Sequence, residues 1–126
     1  MFLKELKTIC MQLNDMAFDV YVANKKKGFW DDGPFNIGEK IALIHSELSE
    51  ALDADRAGNY CTVQDVDKLS IDSFKVFVKD TFQDELADTF IRLLDLCGKM
   101  GIDIEGHILA KLNYNKTREY KHGKKY

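Results

Sequence analysis

One proline in 126 residues, Pro34, and no Gly/Ser-rich tract leave no visible linker, so the chain is expected to be one domain, residues 1–126. The three cysteines, Cys10, Cys61 and Cys97, are odd in number and fall at no metal spacing, which excludes a disulfide framework or a zinc knuckle. The charged amphipathic start MFLKELKTIC does not resemble a secretory segment, and reduced cysteines in a cytoplasmic protein are the expectation. No apolar run approaches the length that crosses a bilayer, so no membrane partner is expected. The three histidines form no ligand pattern, and no Glu-x-x-His pair occurs, which argues against a di-iron carboxylate bundle. No segment reads firmly as a strand.

What the chain does have is apolar residues, 45% of the total, arranged at helical spacing. Helices are expected over residues 3–25 (Leu3, Leu6, Ile9, Leu13, Met16, Val20), over 37–57 with Gly58 as a stop, and over 104–117. Between 26 and 36 lies a turn-rich loop. Residues 59–72 look like an excursion, and SFKVFVKD (73–80) fits either strand alternation or a helix; a helix running on through residue 100 is favoured, ended by Gly101, with Asp103 capping the next one. The fold class is therefore all-α, a four-helix bundle. The segment 81–100 is apolar on its back, through Ala87, Ile91 and Leu94, as well as on its front. A helix apolar nearly all round must be covered nearly all round. Burial of Ile91 and Leu94 by a second subunit, in a homodimer or homotetramer, is the expectation.

Two acidic pairs stand at i, i+3: Glu47/Glu50 in IHSELSEAL and Glu85/Asp88 in QDELADTF. At about 100° per residue, Glu47 and Glu50 lie roughly 60° and 120° from Ile44, the centre of the arc Ile37, Ile41, Ile44, Leu48, Ala51, Leu52. Glu85 and Asp88 keep the same offsets from Phe82, in the stripe Phe82, Leu86, Thr89, Phe90, Leu93, Leu96, Cys97, Met100. If the two helices pack, four carboxylates converge, and such a cluster calls for a cation. All-oxygen ligands suit Mg²⁺, with Mn²⁺ as the alternative, and Mg²⁺ usually accompanies phosphate. Solvated acids on two amphipathic helices are the plain alternative. Charge is uneven in a compatible way: residues 111–126 hold six Lys/Arg against one Glu, a balance of +5, which leaves −8 for the remaining 110 residues. An acidic body argues against nucleic-acid binding. A short basic end suits a polyphosphate, or is a solvated tail.

Other charged and aromatic residues divide between roles. Trp30 is either a packing plug or a surface for a base. Arg92 falls between Glu85 and Asp88 in angle and is expected to pair with a neighbouring carboxylate rather than a phosphate. Lys40 is a charge partner or a phosphate ligand. Asp84 and Asp95 are expected to point elsewhere and be solvated. Glu39 suits its helix start, and His45 faces away from the acids.

Glu47-x-x-Glu50, Glu85-Leu-Ala-Asp88 and the tail GIDIEGHILAKLNYNKTREYKHGKKY resemble the MazG-like all-α nucleoside triphosphate pyrophosphohydrolases, from about Trp30 to the C-terminus. The resemblance implies a bundle of intertwined subunits and Mg²⁺ held by Glu47, Glu50, Glu85 and Asp88. It also implies hydrolysis of a nucleoside triphosphate to the monophosphate and pyrophosphate. Lys111 and Asn115 match nucleotide-contacting positions, Trp30 an aromatic beside the base, and Arg118 and Lys121 belong to the same tail. Glu47 or Glu50 would activate water. The stretch between the acidic motifs is longer than in compact members, with an insertion around 59–78. A non-catalytic nucleotide sensor or helical interaction module would use the same ligands, and turnover separates the two.

Overall fold

The computed structural model describes residues 2–125, with side chains described from Gln12 onward. Leu3, Leu6, Ile9 and Cys10 thus lie outside the residues whose side chains are described. Among the described residues the structure is all-helical: α1 (Phe2–Lys26), α2 (Ile37–Arg56), the short α3 (Ile71–Phe77), α4 (Phe82–Met100) and α5 (Ile104–Asn115), with short 3₁₀ turns at Val66–Lys68 and Tyr120–Gly123. No described helix is long and apolar enough to cross a membrane.

Local chemistry sets the helix starts. Asn36, Ser70, Thr81 and Asp103 each accept a backbone N–H of the first turn through a side-chain oxygen. Gly101 ends α4 in the left-handed region at φ 64°, where its N–H reaches the Cys97 and Gly98 carbonyls.

The continuous helix expected over 73–100 is broken. Asp80 takes φ 64°, and Thr81 opens α4 as its cap. The break belongs to a staple that closes the whole excursion. Phe82 N–H donates to Asn59 O at 2.9 Å, and the Gln83 side chain bonds both Cys61 N–H (2.8 Å) and Cys61 O (3.1 Å). The Asn59 amide donates to Asp80 O at 2.9 Å. Residues 59–81 therefore leave and return at one point, and the α2–α4 contact need not yield to the insertion.

Helix α4 is central. It packs on α2 and on α1, and α5 packs on α1. On the α1 side Ala17, Leu94 and Cys97 form the core, with Leu13 and Ile104 against it. Burial drives the Cys97 thiol pKa up. This corrects the expectation for Leu94: it is 4% exposed within one chain, so it is not a subunit contact. Ile91 stays 43% exposed. On α2 the buried residues are Glu47, Ala51 and Ala54, while Ile37, Ile41, Leu48 and Leu52 remain 44–48% exposed. The buried face is thus turned by roughly 60° from Ile44 toward the acids. The small side chains Ala51 and Ala54 line the α2 face that meets α4, and the larger apolar ones are left outside.

Candidate metal centre and adjoining cavity

The rotation of α2 carries Glu47 inward. Glu47 and Glu85 are 8% and 6% exposed, and Glu50 is exposed beside them. One carboxylate oxygen from each of Glu47, Glu50 and Glu85 lies within 4.8 Å of the others. Two helices thus bring three of the four expected acids to one point. Asp88 stands half-buried one turn along α4, on the wall of the neighbouring cavity.

The electrostatics fit a site short of positive charge. Burial, a hydrogen bond with Glu50, and the charges of Glu50, Asp88 and Glu47 push the Glu85 pKa up to about 7. The Asp88 pKa is also raised, by burial first and then by Asp84 and Glu47, against the opposing pull of Arg92. Glu85 Oε2 is buried and has no hydrogen-bond partner among the described residues. A buried carboxylate oxygen without a partner is costly unless a proton or a cation meets it. The donor set is all oxygen, so the residues present fit a hard divalent cation, which Glu47, Glu50 and Glu85 could hold with Asp88 nearby on the same helix as Glu85.

Beside the acids lies a cavity of about 280 Å³ between α1, α2 and α4. Trp30, Lys40, Glu47, Asp88, Arg92 and Asp95 are among its lining residues. Arg92 Nε donates to Glu47 Oε1 at 2.6 Å, the carboxylate pairing expected from the sequence.

Asp95 corrects another expectation. It is half-buried, and it accepts Trp30 Nε1–H on Oδ1 and the Asn24 amide on Oδ2, each at 3.0 Å. Asp95 follows Asp88 by seven residues, two helical turns, so the two differ by only about 20° on the wheel. That spacing was the signal that could have found it. Asp84 is likewise half-buried, its Oδ2 accepting Asp80 N–H at 2.9 Å. His45 is exposed.

Trp30 is the hub of an aromatic group. Tyr21 and Phe35 meet it edge to face at 5.9 and 5.3 Å, and the Lys40 ammonium lies 4.4 Å from its ring centre. The indole therefore packs and also faces the cavity.

The basic segment sits elsewhere. No α5 residue lines the cavity, and α5 packs on α1. Lys111 and Arg118 lie 5.0 and 5.7 Å from the Tyr114 ring centre, Lys121 lies 5.8 Å from that of Tyr120, and Asn115 Oδ1 is buried without a partner among the described residues. One chain does not bring Lys111, Asn115, Arg118 and Lys121 to the cavity that holds Glu47. No protein-family model, curated protein or solved structure matches the chain.

Proposed function

We propose that the chain is a Mg²⁺-dependent nucleoside triphosphate pyrophosphohydrolase of the MazG-like kind, cleaving a (deoxy)nucleoside triphosphate to the monophosphate and pyrophosphate in cytoplasmic nucleotide-pool cleansing. The observation that carries the reading is the Glu47–Glu50–Glu85 convergence, with Glu85 Oε2 unpartnered, beside a cavity that offers an indole and two cations. A bound Mg²⁺ supplies neutralisation of the triphosphate oxygens. The chain's own residues supply the remainder. Glu50, the exposed member of the trio, or Glu47 orients the attacking water and takes its proton. Lys40 and Arg92 present positive charge to phosphate oxygens, and Trp30, fixed by Asp95, offers the base an aromatic wall. The deciding assay incubates the protein with Mg²⁺ and a panel of canonical and modified nucleoside triphosphates, scoring pyrophosphate and monophosphate. Release of orthophosphate, or binding without turnover, would favour a different hydrolase or a non-catalytic nucleotide-binding module.

The assembly we propose is a homodimer or homotetramer. The exposed α2 row Ile37, Ile41, Leu48 and Leu52 motivates it, since a continuous apolar row of this kind is usually covered. Leu48→Asp is expected to shift the protein to monomer in sedimentation while circular dichroism stays helical. A wild-type protein that sediments as a monomer at tens of micromolar, an order-of-magnitude working range, removes the assembly from the proposal.

Lys111, Asn115, Arg118 and Lys121 enter this function only if a second copy carries α5 to the site. Deleting residues 118–126, or changing Lys111→Ala, is then expected to raise KM about tenfold or more for the triphosphate, while Mn²⁺ affinity without nucleotide stays level. Unchanged KM in both variants makes the +5 segment a solvated tail.

A further inference from the structure

Glu47 already has a cation. Arg92 Nε holds its Oε1 at 2.6 Å, and the guanidinium lies on the wall of the cavity that Glu47 also lines. The pair is asymmetric: the Arg92 side chain is 43% exposed and that of Glu47 10%. Arg92 therefore keeps room to move, and Glu47 does not. Only Nε is engaged among the described residues, which leaves Nη1 and Nη2 for a second acceptor. The charged groups around it are Asp88 one turn before and Asp95 nearly one turn after on α4, and Lys40 and Glu47 on α2. Asp95 is committed to Trp30 and Asn24, so it is a poor second partner.

A divalent cation at Glu47, Glu50 and Glu85 draws on the same Glu47 carboxylate whose Oε1 Arg92 holds. One carboxylate charge cannot fully neutralise two cations, and a guanidinium beside the trio repels a second positive charge. A phosphate offers the displaced guanidinium a better-matched partner, because its planar fork suits two phosphate oxygens at once.

We propose that Arg92 is an exchangeable counter-ion, which neutralises Glu47 while the acids hold no divalent cation and passes to a phosphate oxygen in the cavity when a cation and polyphosphate arrive together. Arg92 so weakens the site for a bare cation and strengthens it for the cation–polyphosphate complex. The two binding events are thereby coupled, and coupling is reciprocal. The proposal rests on the metal reading above.

Two titrations of the full chain test it. Mn²⁺ alone is titrated by electron paramagnetic resonance against wild type and Arg92→Gln. The Mg²⁺ complex of inorganic tripolyphosphate, which has no base, is titrated by Trp30 fluorescence. Arg92→Gln is expected to bind Mn²⁺ about threefold or more tighter and Mg²⁺–tripolyphosphate about tenfold weaker. Opposite signs are what a merely supporting role would not produce: if Arg92 only held Glu47 in place, both affinities would fall together. Unchanged or weaker Mn²⁺ binding in Arg92→Gln overturns the exchange. Should that variant prove unfolded by circular dichroism, Arg92→Lys carries the test. It keeps a point charge near Glu47 but loses the fork, so tripolyphosphate affinity falls with Mn²⁺ affinity held, and undiminished tripolyphosphate affinity overturns the proposal. Failure of the metal reading looks different: wild type then binds no Mn²⁺, or Glu85→Gln binds it unchanged.

Discussion

Glu85→Gln is expected to lower Mg²⁺ affinity at least about a hundredfold, to abolish turnover, and yet to make the cation-free protein more stable at pH 8. Loss of binding follows from removing one of three converging carboxylates. The gain in stability follows from the direction of the Glu85 shift. In the folded chain its pKa rises from 4.5 to about 7. Between those values the folded state binds more protons than the unfolded state, so the stability of the cation-free protein falls as pH rises from about 4.5 to about 7 and stays low above that. Gln carries no charge, so this part of the pH dependence disappears. Urea midpoints at pH 5 and pH 8 should converge in the variant, with a gain at pH 8 on the order of 1–3 kcal/mol. Added Mg²⁺ should stabilise wild type at pH 8 and leave the variant unmoved. In wild type, Mg²⁺ binding should strengthen as pH rises through about 7, because the proton on Glu85 competes with the cation. A variant that keeps wild-type Mg²⁺ affinity, or is destabilised at pH 8, defeats the assignment of Glu85.

The matched offsets of Glu47/Glu50 and Glu85/Asp88 made the acidic convergence legible, because helical period alone puts such residues on one face. Capping chemistry made Gly101 and Asp103 legible as the α4–α5 junction. What period could not supply was the choice of face. Residues 81–100 are apolar on two sides, and the α1 contact uses Leu94 while Phe90, a residue of the expected front, stays exposed. A hydrophobic stripe reports which residues avoid water in the final assembly, not which partner covers them. The same ambiguity hid the rotation of α2. The break at Asp80 was illegible for another reason: it depends on Asn59 and Cys61, some twenty residues earlier, receiving Phe82 and Gln83. Asp95 was legible in principle, two turns from Asp88, but its partners come from α1 and the loop after it.

Gly98→Ala is expected to destabilise the protein although it replaces a poor helix former by the best one. In an open helical position the change would gain about 1 kcal/mol. At 98 a Cβ would collide with the Ala17 carbonyl oxygen and stand 2.7 Å from Tyr21 Cβ, closer than van der Waals contact allows. The obstacle is the backbone of α1, which cannot rotate aside, so the α1–α4 spacing must widen. A net loss of about 1–3 kcal/mol is expected, or a fall in Tm of roughly 5–10 °C. Ala87→Gly on the exposed side of the same helix should also lose about 1 kcal/mol. Opposite substitutions on one helix thus both destabilise, which propensity alone forbids. Gly98→Val should go further. Asn24 on α1 reaches Asp95 on α4, and Asp95 in turn holds the indole of Trp30, the single tryptophan of the chain. Widening the helix pair draws Asn24 away and loosens that hold. Trp30 emission should shift to the red in the folded variant, and affinity for a nucleoside triphosphate should fall while Mn²⁺ affinity at Glu47, Glu50 and Glu85 changes little. A Gly98→Ala protein as stable as wild type would show that α1 and α4 do not cross at this close approach.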